Sequence, residues 1–195
     1  MTDIEIVKAS LNEARDALDA FLANDRAQQA VVDAALLMAE ALRGGGKVMS
    51  CGNGGSFCDA MHFAEEMTGR FRENRPPYAA VAISDASHLS CVGNDFGFDE
   101  VFARYVMAHG RAGDVLLAIS TSGKSPNIIR AAEEAHKRGV RVVVMTGRAD
   151  TPLSSMADVA IVTPGGRWAD RVQELHIKCI HIMIELIEKA MQASH

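Results

Sequence analysis

Five short apolar runs constrain this chain more than anything else in it. They are KVMSC at 47–51, AAVAI at 79–83, DVLLAI at 114–119, VRVVVMT at 140–146 and DVAIVT at 158–163. Each is rich in valine or isoleucine and reads as a strand buried on both faces, as in a parallel sheet. Helical stretches separate most of them, at about 57–70, 99–109 and 126–138, and a last one runs from about Trp168 to Gln192. That order predicts an α/β fold, a doubly wound three-layer sandwich around a parallel five-stranded sheet. Ahead of it, from about Ile4 to Leu42, apolar residues recur at helical spacing: Leu11, Ala14, Leu18 and Leu22, then Val31, Ala34, Leu37 and Ala41. RGGGK at 43–47 ends this helical region. RENRPPYAA at 72–80 is expected to be a loop, because Pro76 and Pro77 forbid helix there. No repeat or linker divides the chain, so residues 1–195 are expected to form a single domain, with 1–43 a helical extension packed on it.

Composition narrows the function. The chain has 195 residues, enough for one well-buried domain, and a net charge of -5, which argues against a surface for nucleic acid or anionic membrane. No apolar run approaches the roughly 20 residues that span a bilayer. The acidic, amphipathic N-terminus lacks the basic-then-apolar order of a signal peptide. The four cysteines form no CxxC pair, which fits a reducing cytoplasm.

In a doubly wound sheet, ligands bind beyond the carboxyl ends of the strands. Two strand ends here are chemically alike: CGNGGS at 51–56 and ISTSGKSPN at 119–127. The second offers the hydroxyls of Ser120, Thr121, Ser122 and Ser125, with Gly123 letting the backbone approach an anion and Pro126 suited to the first helical turn. Free N–H groups at that helix start favour a phosphate. One helix cap needs one hydroxyl, not four, so a phosphate site is expected at 120–126. Neither loop is a Walker or dinucleotide motif, and no nucleotide is expected.

His62 and Glu66 lie four residues apart and share a helix face close to CGNGGS. By itself that spacing is equally that of an ordinary surface ion pair. The last helix carries Gln173, His176 and His181 among many apolar residues, and buried polar groups there need partners. Asn94 and Asp95, in the polar segment SDASHLSCVGNDFGFDE at 84–100, are read as a strand-end loop able to hold sugar hydroxyls.

Taken together, GGKVMSCGNGGS, CDAMHFAEEMTGRFRENRP, CVGNDFGF, GDVLLAISTSGKS and ADRVQELHIKCIHIMIELIE resemble the phosphoheptose isomerase family of the sugar isomerase (SIS) domain superfamily over nearly the whole chain. The resemblance implies conversion of D-sedoheptulose 7-phosphate to D-glycero-D-manno-heptose 7-phosphate, the first step towards the heptose of Gram-negative lipopolysaccharide, in a cytoplasmic homotetramer. It implies that Asn53, Gly54, Gly55, Glu66, Asn94, Asp95, Ser120, Thr121, Ser122, Ser125 and Gln173 bind substrate. It implies that Glu66 and His181 are the acid–base pair. It also implies that His62, Glu66, Gln173 and His181 hold zinc in members that carry it. Phe57 departs from the pattern, standing where relatives often have a polar residue.

The chemistry fits independently, because ketose-to-aldose isomerisation needs a base at carbon and a second acid–base at oxygen. On one straight helix Gln173 and His181 lie about 12 Å apart along the axis and point about 80° apart. Either that helix is distorted or different subunits supply the two, and the site, including Glu66 and His181, is expected to be shared between subunits. The rival expectation is a non-catalytic SIS protein that binds sugar phosphates or associates with an initiator protein. Glu66 and His181 argue against it, since a binding module has no use for both.

Overall fold

The computed structural model describes residues 1–193. Two long helices, α1 (Asp3–Leu22) and α2 (Asp25–Arg43), precede the sheet, and Asn24 separates them by capping α2 through the Ala27 N–H. The strands are β1 (Val48–Gly52), β2 (Ala80–Ala82), β3 (Val115–Ile119), β4 (Arg141–Thr146) and β5 (Val159–Val162). All neighbours are parallel, in the order β2-β1-β3-β4-β5. Every residue of β1 and β3 is buried, as strands covered on both faces require.

Between the strands lie α3 (Gly55–Thr68), α4 (Ala86–Phe96), α5 (Val101–His109) and α6 (Pro126–Lys137), and α7 (Ala169–Gln192) closes the chain. One core packs α2, α3 and α7 against the sheet, with Phe63, Met67, Leu117, Met145 and Ile180 at its centre. The other packs α4, α5 and α6 against the opposite face around Phe102, Leu116 and Val144. In α1 only Phe21 is buried, while Ile4, Val7 and Leu11 remain exposed. No helix among the described residues is long and apolar enough to cross a membrane.

The expected strands stand within a residue or two of their positions, and 72–79 is irregular as the prolines require. The segment 84–100 differs. It forms α4, which Asp85 caps by accepting the His88 N–H at 2.7 Å, followed by a short 3-10 turn at 98–100. Asn94 and Asp95 therefore sit in the last turn of a helix, not in a strand-end loop. A polar stretch with one buried residue, Val92, carries too little apolar periodicity to announce a helix.

Arg75 fastens the far end of α3. Its guanidinium donates to the carbonyls of Glu66 (2.7 Å), Met67 (2.7 Å) and Gly69 (3.2 Å), and to the carboxylate of Glu188 on α7 at 2.8 Å. These are carbonyls that a helix end leaves unpaired.

His176 on α7 is fully buried, and neither ring nitrogen makes a hydrogen bond of normal geometry. Burial pushes its pKa down to about 4, with the Thr146 backbone opposing. The unfolded chain would take up this proton near pH 6.5, so stability is complete above that value and is lost as pH falls towards 4. Denaturant melts should show a loss on the order of 3 kcal/mol across that window from this group. H176L should flatten the dependence.

Candidate active site

The carboxyl ends of β1 and β3 lie side by side, with Gly52 paired to Ile119. Beyond them the chain diverges: α3 turns to one face of the sheet and α6 to the other. This is the topological switch point of the sheet, where such folds bind ligands. The crevice there is lined by Asn53, Ser56, Ile119, Ser120, Thr121, Ser125 and Gln173. Gly54, with φ of 56°, lets the chain turn into α3.

The loop after β3 gathers hydroxyls at the mouth of this crevice. Ser120 and Ser125 hydroxyls stand 3.1 Å apart. Ser125 is the N-cap residue of α6, yet its side chain makes no capping bond, so its hydroxyl is left facing the crevice. Gly123, with φ of 64°, has no room for a side chain: a Cβ would fall 2.3 Å from the Thr151 hydroxyl. Ser122 is exposed and accepts the Lys124 N–H at 3.2 Å. It lines a neighbouring hollow with Thr121, Arg148 and Arg167 instead of the crevice. Asn94 and Asp95 are exposed on α4, bonded to each other at 2.7 Å, and do not line the crevice.

From the crevice, α3 and α7 run side by side in the same direction. At their beginnings a Cβ on Gly55 would fall 2.6 Å from the Gln173 amide nitrogen, so the glycine makes room for that carboxamide. Two turns further on, His62 Nε2 lies 3.1 Å from His181 Nε2 and 3.4 Å from Glu66 Oε1. Burial, and then the neighbouring His62, hold the His181 pKa below the usual histidine value. Phe71 packs beside the His181 ring.

One ligand atom each from His62, Glu66 and His181 lie within 4.8 Å of one another. Two histidines and a carboxylate are a zinc-binding set that leaves a fourth position open. At zinc–nitrogen lengths of about 2.0–2.1 Å and tetrahedral angles, two imidazole nitrogens are about 3.3 Å apart. The observed 3.1 Å is close to that spacing, so the residues fit a metal ion.

Two expectations change here. Helix α7 is continuous from Ala169 to Gln192, so Gln173 and His181 of one chain stay about 12 Å apart and cannot share an ion. Glu66 and His181 do come together within one chain, contrary to the expectation that different subunits supply them. Their link is His62, whose helical position sequence alone could not orient towards α7.

Sequence reasoning missed Asp59. It sits one turn before His62 on the same face of α3, and burial raises its pKa to about 6, with His62 opposing. Its Oδ2 is buried without a hydrogen-bond partner. Extending the His62–Glu66 face back by one turn would have found it.

A hydroxyl-lined crevice thus lies at the switch point of this sheet, and the SIS domain model matches residues 11–147. Two close relatives are the phosphoheptose isomerases of Yersinia pestis (strain Pestoides F) and Escherichia fergusonii, 58% and 57% identical over 96% of this chain and 97% of theirs. Among solved structures, the phosphoheptose isomerase of Neisseria gonorrhoeae superposes with a TM-score of 0.89 at 44% identity, covering 96% of this chain and all of that one. That of Francisella tularensis gives 0.91 at 34%, covering 97% of this chain. The chain belongs to the SIS domain family and, within it, to the phosphoheptose isomerases.

G55A tests the seat of Gln173. The added methyl must displace the carboxamide, the flexible partner in that contact. Sugar-phosphate affinity, measured by calorimetry, should fall roughly tenfold, about 1.4 kcal/mol, with little change in melting temperature. Unchanged affinity would remove Gln173 from the binding surface.

Proposed function

We propose that this chain is an aldose–ketose isomerase that converts D-sedoheptulose 7-phosphate to D-glycero-D-manno-heptose 7-phosphate through an enediol, the first step of ADP-heptose formation for lipopolysaccharide. The observation that carries the reading is a carboxylate and two imidazoles gathered on α3 and α7, two turns from a hydroxyl-lined crevice at the start of that helix pair. The identity of this chain to named phosphoheptose isomerases supports it.

In this mechanism Ser120, Thr121, Ser125 and the start of α6 take the phosphate, with Ser122 at the edge of the loop. Binding there supplies energy far from the reacting carbons and orients them. Asn53, Gly54, Gly55 and Gln173 follow the sugar chain; Asn94 and Asp95, outside this crevice, would reach sugar hydroxyls only if α4 moved towards it. Glu66 takes the proton from C1 and returns it to C2. His181, whose pKa is lowered first by burial, moves the proton between the two oxygens.

Zinc would be held by His62, Glu66 and His181, and when bound it supplies Lewis-acid polarisation of the carbonyl. Because α7 is unbent, Gln173 could complete the set only from a second copy. That geometry supports sites shared between subunits of a homotetramer, which the biosynthetic role would place in the cytoplasm. Residues 1–195 would act as one SIS domain, with 1–43 a packed extension. Residues 194 and 195 lie outside the described residues.

The deciding experiment follows sedoheptulose 7-phosphate in deuterated water by NMR. Deuterium should enter at carbon with wild type. E66Q should slow turnover by about 100-fold or more while sugar-phosphate binding persists. No exchange with wild type would leave a non-catalytic sugar-phosphate-binding protein.

Subunit sharing has its own test. Mixed and reassembled Q173A and H181A should regain part of the activity, from interfaces where His62, Glu66 and His181 of a Q173A copy meet Gln173 of an H181A copy, while the Q173A copy's own crevice contact stays lost. E66Q mixed with H181A should stay inactive. A dead Q173A–H181A mixture, in tetramers verified as hybrids by mass spectrometry, would show that sites are not shared in this way.

A further inference from the structure

Asn127 is 2% exposed in the first turn of α6 and sits opposite Asn53. Each carboxamide donates to the other's oxygen at 2.9 Å, closing a two-bond ring between the segments that follow β1 and β3. These segments leave the sheet in opposite directions, one into α3 and the other into α6. We propose that Asn127 is a positioning residue that sets the width of the sugar-phosphate crevice by clamping the glycine turn to the phosphate loop.

The two sides of the clamp are not equally secured without it. The phosphate loop is tied to β4 and the loop after it: Ser120 N–H donates to the Met145 carbonyl at 3.0 Å and Gly147 N–H to the Thr121 carbonyl at 3.0 Å. Leu153 N–H donates to the Gly123 carbonyl at 3.3 Å. Downstream, α3 is anchored through the Ser50 hydroxyl to the Ala60 carbonyl at 2.8 Å and through Arg75. The glycine turn lies between these anchors. It closes locally, through Ser56 N–H to the Asn53 carbonyl at 3.0 Å and Phe57 N–H to the Gly54 carbonyl at 3.0 Å. The side-chain hydrogen bonds of Asn53 go to Asn127. Removing Asn127 therefore frees the turn that faces the sugar and leaves the anion loop as it is. It also follows that Asn53 meets substrate mainly through its backbone, since its carboxamide is engaged.

The test compares wild type, N53A, N127A and the double variant as assembled enzymes. Inorganic phosphate, titrated by calorimetry, should bind N127A within about twofold of wild type, while KM for sedoheptulose 7-phosphate rises on the order of tenfold. N53A and N127A should be non-additive, the double variant no worse than N53A alone, because both remove the same clamp. Additive losses, or wild-type kinetics for N127A, overturn the proposal. The kinetic arm rests on the substrate reading above. If wild type proves inactive, that reading fails, and the same cycle measured as sugar-phosphate affinity still decides the clamp.

N127D serves if N127A does not fold. A protonated carboxyl keeps both bonds of the ring, whereas its ionised form loses the donor and sets a negative charge beside the phosphate loop. The ratio of its KM to the wild-type KM should rise with pH, and a ratio flat from pH 5 to 8 overturns the proposal.

Discussion

The parallel packing of α3 on α7 decides what this chain can do. Strand order alone places a crevice between β1 and β3 but provides only loops and hydroxyls there. Because the two helices start at the same edge of the sheet and run together, residues seven or eight apart on each meet in register. Gly55 meets Gln173 at the crevice, and His62 meets His181 two turns on. A shift of α7 by one residue would rotate its facing side chains by about 100° and separate both pairs. The apolar contacts of Phe63, Met67, Ile180 and Met183 that set this register therefore also align the chemistry.

The histidine pair shows how much the site depends on its neighbours. With 3.1 Å between the nitrogens, both rings cannot be charged without strong repulsion, and one neutral ring must accept from the other or both must face a cation. Glu66 beside them favours positive charge, whereas burial disfavours it at His181. Opposing influences thus meet on the His181 imidazole. Such coupling is what proton transfer at neutral pH requires.

Much of the fold was legible because its signals are local. Runs such as VRVVVMT can only be buried strands, and the prolines at 76 and 77 mark their loop without help from the rest of the chain. The helix α4 was hidden because its stability comes from its Asp85 cap and a single buried valine, not from an apolar stripe. The two phosphate-sized loops were visible in their hydroxyls and glycines. The gathering of His62, Glu66 and His181 was expected through the family resemblance alone; spacing could not give it, because it depends on the rotation of α7 about its axis. Asp59 was overlooked although it continues the His62–Glu66 face by one turn; that its carboxyl is partly buried and unpartnered shows only in the structure.

Helix ends fray, and α3 ends at Thr68, only two residues beyond Glu66. A carboxylate so near a terminus would ordinarily ride on a segment that opens and closes independently of the core. The guanidinium of Arg75 removes that freedom by seizing the terminal carbonyls and anchoring them to Glu188, both side chains being largely withdrawn from solvent. The proline-bearing loop that delivers Arg75 is thus a brace for the Glu66 carboxylate, although it lies at the edge of the sheet remote from the hydroxyl loop. Sequence drift in that loop would register first as a carboxylate that wanders, in a protein otherwise still folded.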